Sequence, residues 1–145
     1  MAAECLCFRA RRVSRALTRM YDDSLRPLGI HATQLTLLNA IAMSGDAGGA
    51  MGRLADLLAM DTTTLSRNLR PLEKAGLVHI ARPAADRRVR LAFLTPEGER
   101  IVAAALPLWG EAHARVVAAL GVDAAADLRD RFDAAASAAV AAAGG

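Results

Sequence analysis

The sequence predicts a mainly α-helical chain with a small β wing, and three patterns between Leu54 and Gly98 predict it. Asp61 is a strong N-cap residue, and after it Leu65, Leu69 and Leu72 recur at helical spacing, so one stripe of a helix starting there is expected to be buried. Ahead of it, Met51, Leu54, Ala55 and Leu58 form the apolar stripe of a shorter helix, and Ala59 and Met60 leave room for only a tight turn. Beyond Gly76, read as a helix C-cap, residues 77–82 and 89–94 alternate with the period of two expected of strands, around a loop at 83–88. Two helices joined by a tight turn and followed by a hairpin make a winged helix-turn-helix.

The face of the second helix opposite its leucines carries the chemistry. Thr62 opens it, and Thr63, Ser66, Arg67, Arg70 and Lys74 continue it, with short hydroxyls near the N-terminus and cations further along. Hydroxyls and guanidinium groups on one helical stripe suit the base edges and phosphates of a major groove. At the tip of the hairpin, Arg87 and Arg88 suit a minor groove, where negative potential attracts guanidinium, and Asp86 is placed to hold one of them in orientation. Thr95 and Pro96 then read as the N-cap and first position of a long helix, with Glu97 and Glu99 in its favourable first turn. Pro71 removes an amide donor inside the second helix and is expected to bend it after Asn68.

Charge is concentrated in the same region. The chain has a net charge of +3, but residues 1–49 carry +2, residues 50–95 carry +4 and residues 96–145 carry −3. Seventeen of the eighteen cations are Arg, as a GC-rich coding sequence would favour, yet such a bias does not explain the asymmetry.

These residues carry a family resemblance. Asp86, Arg88, Leu94, Thr95 and Gly98 match the D-x-R-(five residues)-L-T-x-x-G wing signature of the multiple-antibiotic-resistance regulator (MarR) family, and Leu54-Ala55, Leu72-Glu73 and Gly76-Leu77 match its helix-turn-helix. The resemblance implies one domain over residues 1–145, with a winged helix-turn-helix at about 33–95 and dimerisation helices at about 5–29 and 96–143. It also implies a homodimer that binds double-stranded DNA at a pseudo-palindromic operator, as a repressor relieved by a small-molecule ligand such as an aromatic acid.

Outside the winged region the expectations are simpler. Leu6, Ala10, Val13, Leu17 and Met20 step by four and three, a seam on a first helix that Pro27 and Gly29 end. Leu35, Leu38 and Ala42 mark a second helix, and the glycine-rich stretch 45–52 lacks the Gly-Lys-Ser/Thr ending of a phosphate loop, so it reads as a turn into a short edge strand. From Pro96 onward two helical patterns meet at Gly121. The first is expected to be interrupted by Pro107 near Trp109, the second is opened by Asp123 and ends in the Ala-rich stretch 134–143, and Trp109 and Phe132 are expected to fill core.

Enzyme chemistry finds no anchor. There is no Ser-His-Asp arrangement, no paired-carboxylate site, no dinucleotide fingerprint and no cofactor requirement, and His31, His79 and His113 are too scattered for a local zinc site. No apolar run is long enough for a membrane helix and no signal-peptide core follows the N-terminus, so a cytoplasmic protein is expected.

Cys5 and Cys7 are read as thiols in a reducing compartment, whether inert, metal-binding or redox-active. Cys7, Phe8, Tyr21 and Gln34 are similar in order and spacing to the organic-hydroperoxide-sensing branch of the same family, which implies an oxidisable Cys7 and a Tyr21 that meets it across the dimer. That branch has a second tyrosine four residues after the cysteine, where this chain has Arg11, a cation that favours a thiolate. Two readings of Cys7 therefore stand, packing residue and thiol switch with Cys5 as a resolving partner. A winged-helix module that binds protein and no DNA is the alternative from another class, and it predicts aromatic or aliphatic anchors where the sequence has hydroxyls and arginines.

Overall fold

The computed structural model describes residues 4–84, 86 and 88–143. Leu65, Leu69 and Leu72 are wholly shielded from solvent, and the elements of the winged region are arranged around them. They lie on α4 (Thr62–Lys74), which Asp61 starts by accepting the Thr64 amide at 2.7 Å. Burying three leucines contributes about 1.5–3 kcal/mol each, so this stripe anchors the helix. α3 (Met51–Leu57) precedes it, with Met51, Leu54 and Ala55 buried toward the same core.

The turn between them is a helix C-cap in which Ala59 takes a left-handed φ of 50°. The Ala59 amide donates to the Asp56 carbonyl and the Met60 amide to the Ala55 carbonyl, which together end α3. A residue with a Cβ costs about 1–2 kcal/mol in that conformation, and the two bonds offset it.

α4 ends by the same device with a glycine. Gly76 has φ 72°, its amide reaches the Glu73 carbonyl at 3.0 Å, and the Leu77 amide reaches the Leu72 carbonyl at 2.9 Å. Because both Leu72 and Leu77 are buried, the chain leaves the helix pointed into the sheet. That sheet has three antiparallel strands in the order β1 (Gly49–Ala50), β3 (Leu91–Leu94), β2 (Val78–Ala81). Val78 faces Leu94 and Ala81 faces Leu91, which places Val78 and Ala92 on the buried side and stacks His79 on Phe93 on the other at 5.0 Å between ring centroids.

Both long strands are shorter than the alternation predicts. The Arg90 carbonyl accepts the amide of Met51, which continues the β1–β3 register by one position into the first residue of α3, while the Val89 amide turns back to the Asp86 carbonyl.

α1 (Leu6–Leu25) continues into a 3-10 turn (Arg26–Leu28) that Gly29 closes with φ 67°. Asp22 on α1 accepts the amide of Ala32, the first residue of α2 (Ala32–Ala42), at 2.7 Å, and the Gln34 side chain accepts the His31 amide at 2.9 Å. α2 contributes Leu35, Leu37, Leu38, Ala40 and Ile41 to the core.

α5 (Pro96–Leu120) runs unbroken through Pro107, contrary to the expected interruption. Ile101 and Ala105 before the proline and Leu108 after it lie on one face against the core, and this continuous burial holds the helix across the missing amide. α4 likewise runs unbroken through Pro71. Trp109 and Phe132 are not core residues in this chain, being 38% and 40% exposed; Trp109 stacks on Tyr21 with 6.3 Å between centroids.

Two compact units are delimited within α5, Met1–Trp109 and Gly110–Gly145. The second unit contains the end of α5 and all of α6 (Val122–Ala143), joined at Gly121 with φ 88°, and it buries Ala112 and Ala125.

The start of α5 is fixed by close packing on the sheet. A Cβ on Gly98 would lie 2.1 Å from the Leu77 carbonyl oxygen, whereas one on Gly52, in α3, would meet nothing within 4 Å. Gly98→Ala is therefore expected to lose about 3 kcal/mol or more of unfolding free energy, and Gly52→Ala to gain about 0.5–1 kcal/mol; urea titration of the two variants beside the parent measures both.

Candidate nucleic-acid interface

The fold sets the hydroxyls and cations of α4 outward because its leucines point inward. Thr62, Thr63, Arg67, Arg70 and Lys74 are exposed and Ser66 is half-buried. Ion pairs such as Asp23 to Arg26, Asp22 to His31, Glu97 to Arg100 and Asp127 to Arg131 lie on other elements. Arg67, Arg70 and Lys74 thus keep their charge unpaired by any described carboxylate, which is the condition a polyanion requires.

The N-terminus of α4 is tightly set. Asp61 Oδ1 accepts the Thr64 amide and Asp61 Oδ2 accepts the Thr64 hydroxyl, each at 2.7 Å, and these bonds hold the Asp61 carboxyl below its ordinary pKa. Since Thr64 serves the cap, Thr62 and Thr63 remain on the outer face.

In the wing, Asp86 Oδ1 accepts the backbone amide of Arg88 at 2.9 Å. The expected hold on an arginine is thus exerted through the main chain, which shapes the turn and leaves the exposed Arg88 guanidinium out from it. Arg87 lies outside the described residues. Arg88 and Arg90 share an open cleft of about 620 Å³ with Thr62, Thr63 and Ser66, so the wing base and the first turns of α4 form one surface.

Arg90 escapes sequence reasoning. Its Nη1 donates to Ser66 Oγ at 3.3 Å across 24 positions of chain, and no local pattern signals a pair so distant. Thr95 is legible as a cap but does more: its Oγ1 accepts the Gly98 amide at 3.0 Å and donates to the Gly76 carbonyl at 2.6 Å.

The redox candidates are separated. Cys5 and Cys7 are exposed free thiols at the start of α1, and Arg11 Nε donates to Cys7 Sγ at 3.3 Å. Tyr21 stands fourteen residues further along the same helix, about 21 Å away, so the two cannot meet within one chain. The Tyr21 phenol is half-buried, and burial raises its pKa. Gln34 lies in the first turn of α2, where its side chain accepts the amide of the N-cap residue His31. Among the described residues no three His, Cys, Asp or Glu side chains gather as a metal site, and no described helix is long and apolar enough to cross a membrane.

Known proteins share this fold. The model of the MarR family matches residues 28–89. The transcriptional regulator MosR of M. tuberculosis, solved in complex with DNA, is 34% identical, with a TM-score of 0.79 over 93% of this chain and 98% of its own. The regulator PcaV of Streptomyces coelicolor, solved with its natural ligand, shares the fold with a TM-score of 0.83 at 23% identity, covering 96% of each chain. The transcriptional regulator HosA of Escherichia coli O157:H7 is 49% identical over 45 residues, which span 31% of this chain and a third (33%) of HosA.

The Asp61 cap gives the interface a pH dependence. Because the folded carboxyl titrates below its unfolded value, its contribution is complete above about pH 4 and fades as pH falls through the depressed folded pKa. Asp61→Asn keeps a neutral acceptor, so its unfolding free energy is expected to fall less steeply than the parent's below about pH 4. Urea midpoints measured from acid to neutral pH check this.

Proposed function

Because the chain belongs to the MarR family of winged-helix transcriptional regulators, we propose that it is a sequence-specific DNA-binding repressor, working as a homodimer on a pseudo-palindromic duplex and released by a small aromatic ligand. The observation that carries the DNA reading is the outer face of α4, where hydroxyls and unpaired cations continue into the cleft shared with Arg88. A surface built to bind protein would offer aromatic or aliphatic anchors there. The DNA-bound MosR relative supports the same reading. Enzymatic activity has no support, since the relatives are transcriptional regulators.

The homodimer reading is supported by apolar surface left uncovered. Leu6 is 77% exposed and Val13 is exposed on the α1 seam, and in the second unit Phe132 and Val140 are exposed on α6. Apolar positions repeated along helix faces suit a second copy. In such a dimer two α4 helices enter major grooves about one helical turn apart.

One observation favours thiol oxidation as the releasing event. Cys7 is an exposed free thiol, and the Arg11 side chain lies beside it, with Nε donating to Sγ at 3.3 Å. Oxidation to a sulfenic acid or a disulfide adds bulk and polarity at the seam.

Two measurements test these readings. Footprinting with the parent protein is expected to protect a palindrome near its own gene, with affinity falling by about a thousandfold or more between roughly 50 and 200 mM salt, and Arg88→Ala is expected to weaken binding about tenfold through a lost groove or phosphate contact; absence of any protected palindrome counts against the regulator reading. For the switch, Cys7→Ser is expected to bind the same duplex normally and keep it under an organic hydroperoxide that releases the parent. A parent that keeps its duplex under peroxide and leaves it with an aromatic acid reduces Cys7 to packing.

A further inference from the structure

Arg90 joins three elements that meet at the cleft. Its carbonyl accepts the Met51 amide at 3.1 Å, which fixes the start of α3, its Nη1 donates to Ser66 Oγ at 3.3 Å on α4, and its own position is between the wing loop and the first residue of β3. The side chain is half-buried while Arg88, two residues away, is exposed. The two arginines therefore differ in kind: one is directed to solvent, the other tied inward to the helix.

The tie also decides what Ser66 can offer. A serine hydroxyl has one proton to donate and two lone pairs to accept with. The guanidinium occupies a lone pair, so the proton remains to be directed into the cleft. In a major groove the partners of a donor are N7 and O6 of guanine, N7 of adenine and O4 of thymine, whereas the amino groups of cytosine and adenine require an acceptor.

Building on the DNA-binding reading above, we propose that Arg90 is a positioning residue that braces the base of the wing against α4 and sets Ser66 as a hydrogen-bond donor selecting an acceptor atom of the duplex. A wing braced in this way holds a fixed distance between the major-groove helix and Arg88. A direct phosphate contact by Arg90 is the competing account, and it differs in its dependence on Ser66 and on salt.

The experiment is a double-mutant cycle with Ser66→Ala and Arg90→Met, the latter chosen because it keeps a long apolar stem and removes only the guanidinium. Two readouts are taken on the full chain: urea unfolding without DNA, and affinity for a duplex that the parent protein selects from a random pool. The bracing account expects each single change to weaken binding about fivefold and the second change to add less than about twofold in the background of the first, with a coupling of the same sign in unfolding. It also expects the double variant to lose the parent's preference for an acceptor at one base position. Losses that multiply in both readouts, or an Arg90→Met salt slope lower by about one with Ser66→Ala fully additive, overturn the proposal and make Arg90 a phosphate contact. A parent protein that selects no duplex overturns the DNA reading and with it the readout role, while a parent that selects one and shows no coupling overturns only the assignment to Arg90.

Discussion

The structure of the winged region depends on how Thr95 joins the end of α4 to the start of α5. Its hydroxyl donates to the Gly76 carbonyl and accepts the Gly98 amide, while its own amide donates to the Leu77 carbonyl at 3.1 Å. One residue thus caps α5, satisfies a carbonyl exposed by the turn after α4 and extends the pairing of β2 with the end of β3. Because the Leu77 carbonyl also fills the space where a side chain on Gly98 would be, the helix start and the sheet can approach only with glycine there. The Leu-Thr-x-x-Gly sequence is a geometrical necessity of this joint. It fixes where β3 ends, hence the register of β2 and β3, hence the position of the wing relative to α4.

The candidate interface follows from this frame by exclusion. With Leu65, Leu69 and Leu72 committed to the core, the helical period leaves Thr63, Ser66, Arg67, Arg70 and Lys74 outward, and the described carboxylates that form ion pairs are on other elements. A partner that is an extended anion meets these side chains without first breaking ion pairs. The wing is arranged on the opposite principle, since Asp86 spends its carboxylate on the backbone of Arg88 and so shapes the turn without cancelling the arginine's charge. Screening by salt is strong for exposed charges, which makes ionic strength the natural variable for separating these contributions.

Much of this was legible in the sequence because it is local. A cap and three leucines at helical spacing locate α4, a glycine in the left-handed region ends it, and Thr95-Pro96 begins α5, each within one or two turns of chain. What the sequence concealed is non-local. The Val89 amide turns back to the Asp86 carbonyl, the Arg90 carbonyl joins β3 to the first residue of α3, the Arg90 side chain reaches Ser66, and Pro107 is tolerated because the face containing Ala105 and Leu108 stays buried across it. Trp109 looked like core because aromatic residues usually are, but in this chain its ring is only partly covered, by Tyr21. Periodicity reports which face is apolar and is silent on whether this chain or another covers it.

The same limit bears on how a signal at α1 would reach the interface. Cys7 and the exposed seam occupy the first turns of α1, and the other end of that helix carries Asp22, whose carboxylate accepts the first amide of α2 and lies 3.5 Å from His31 Nδ1. α2 in turn places Leu35, Leu37 and Leu38 in the core that holds α4. Close-packed interiors transmit displacements poorly as small deformations and well as shifts of whole elements. A ligand or an oxidised thiol that moved α1 along its axis would therefore pull on α2 through Asp22 at a fixed hydrogen bond, and α2 could yield only by shifting against the leucines beneath α4. In the dimer proposed above, whose two α4 helices would have to match one duplex spacing, such a shift of α2 would act on that spacing through the joint between α1 and α2.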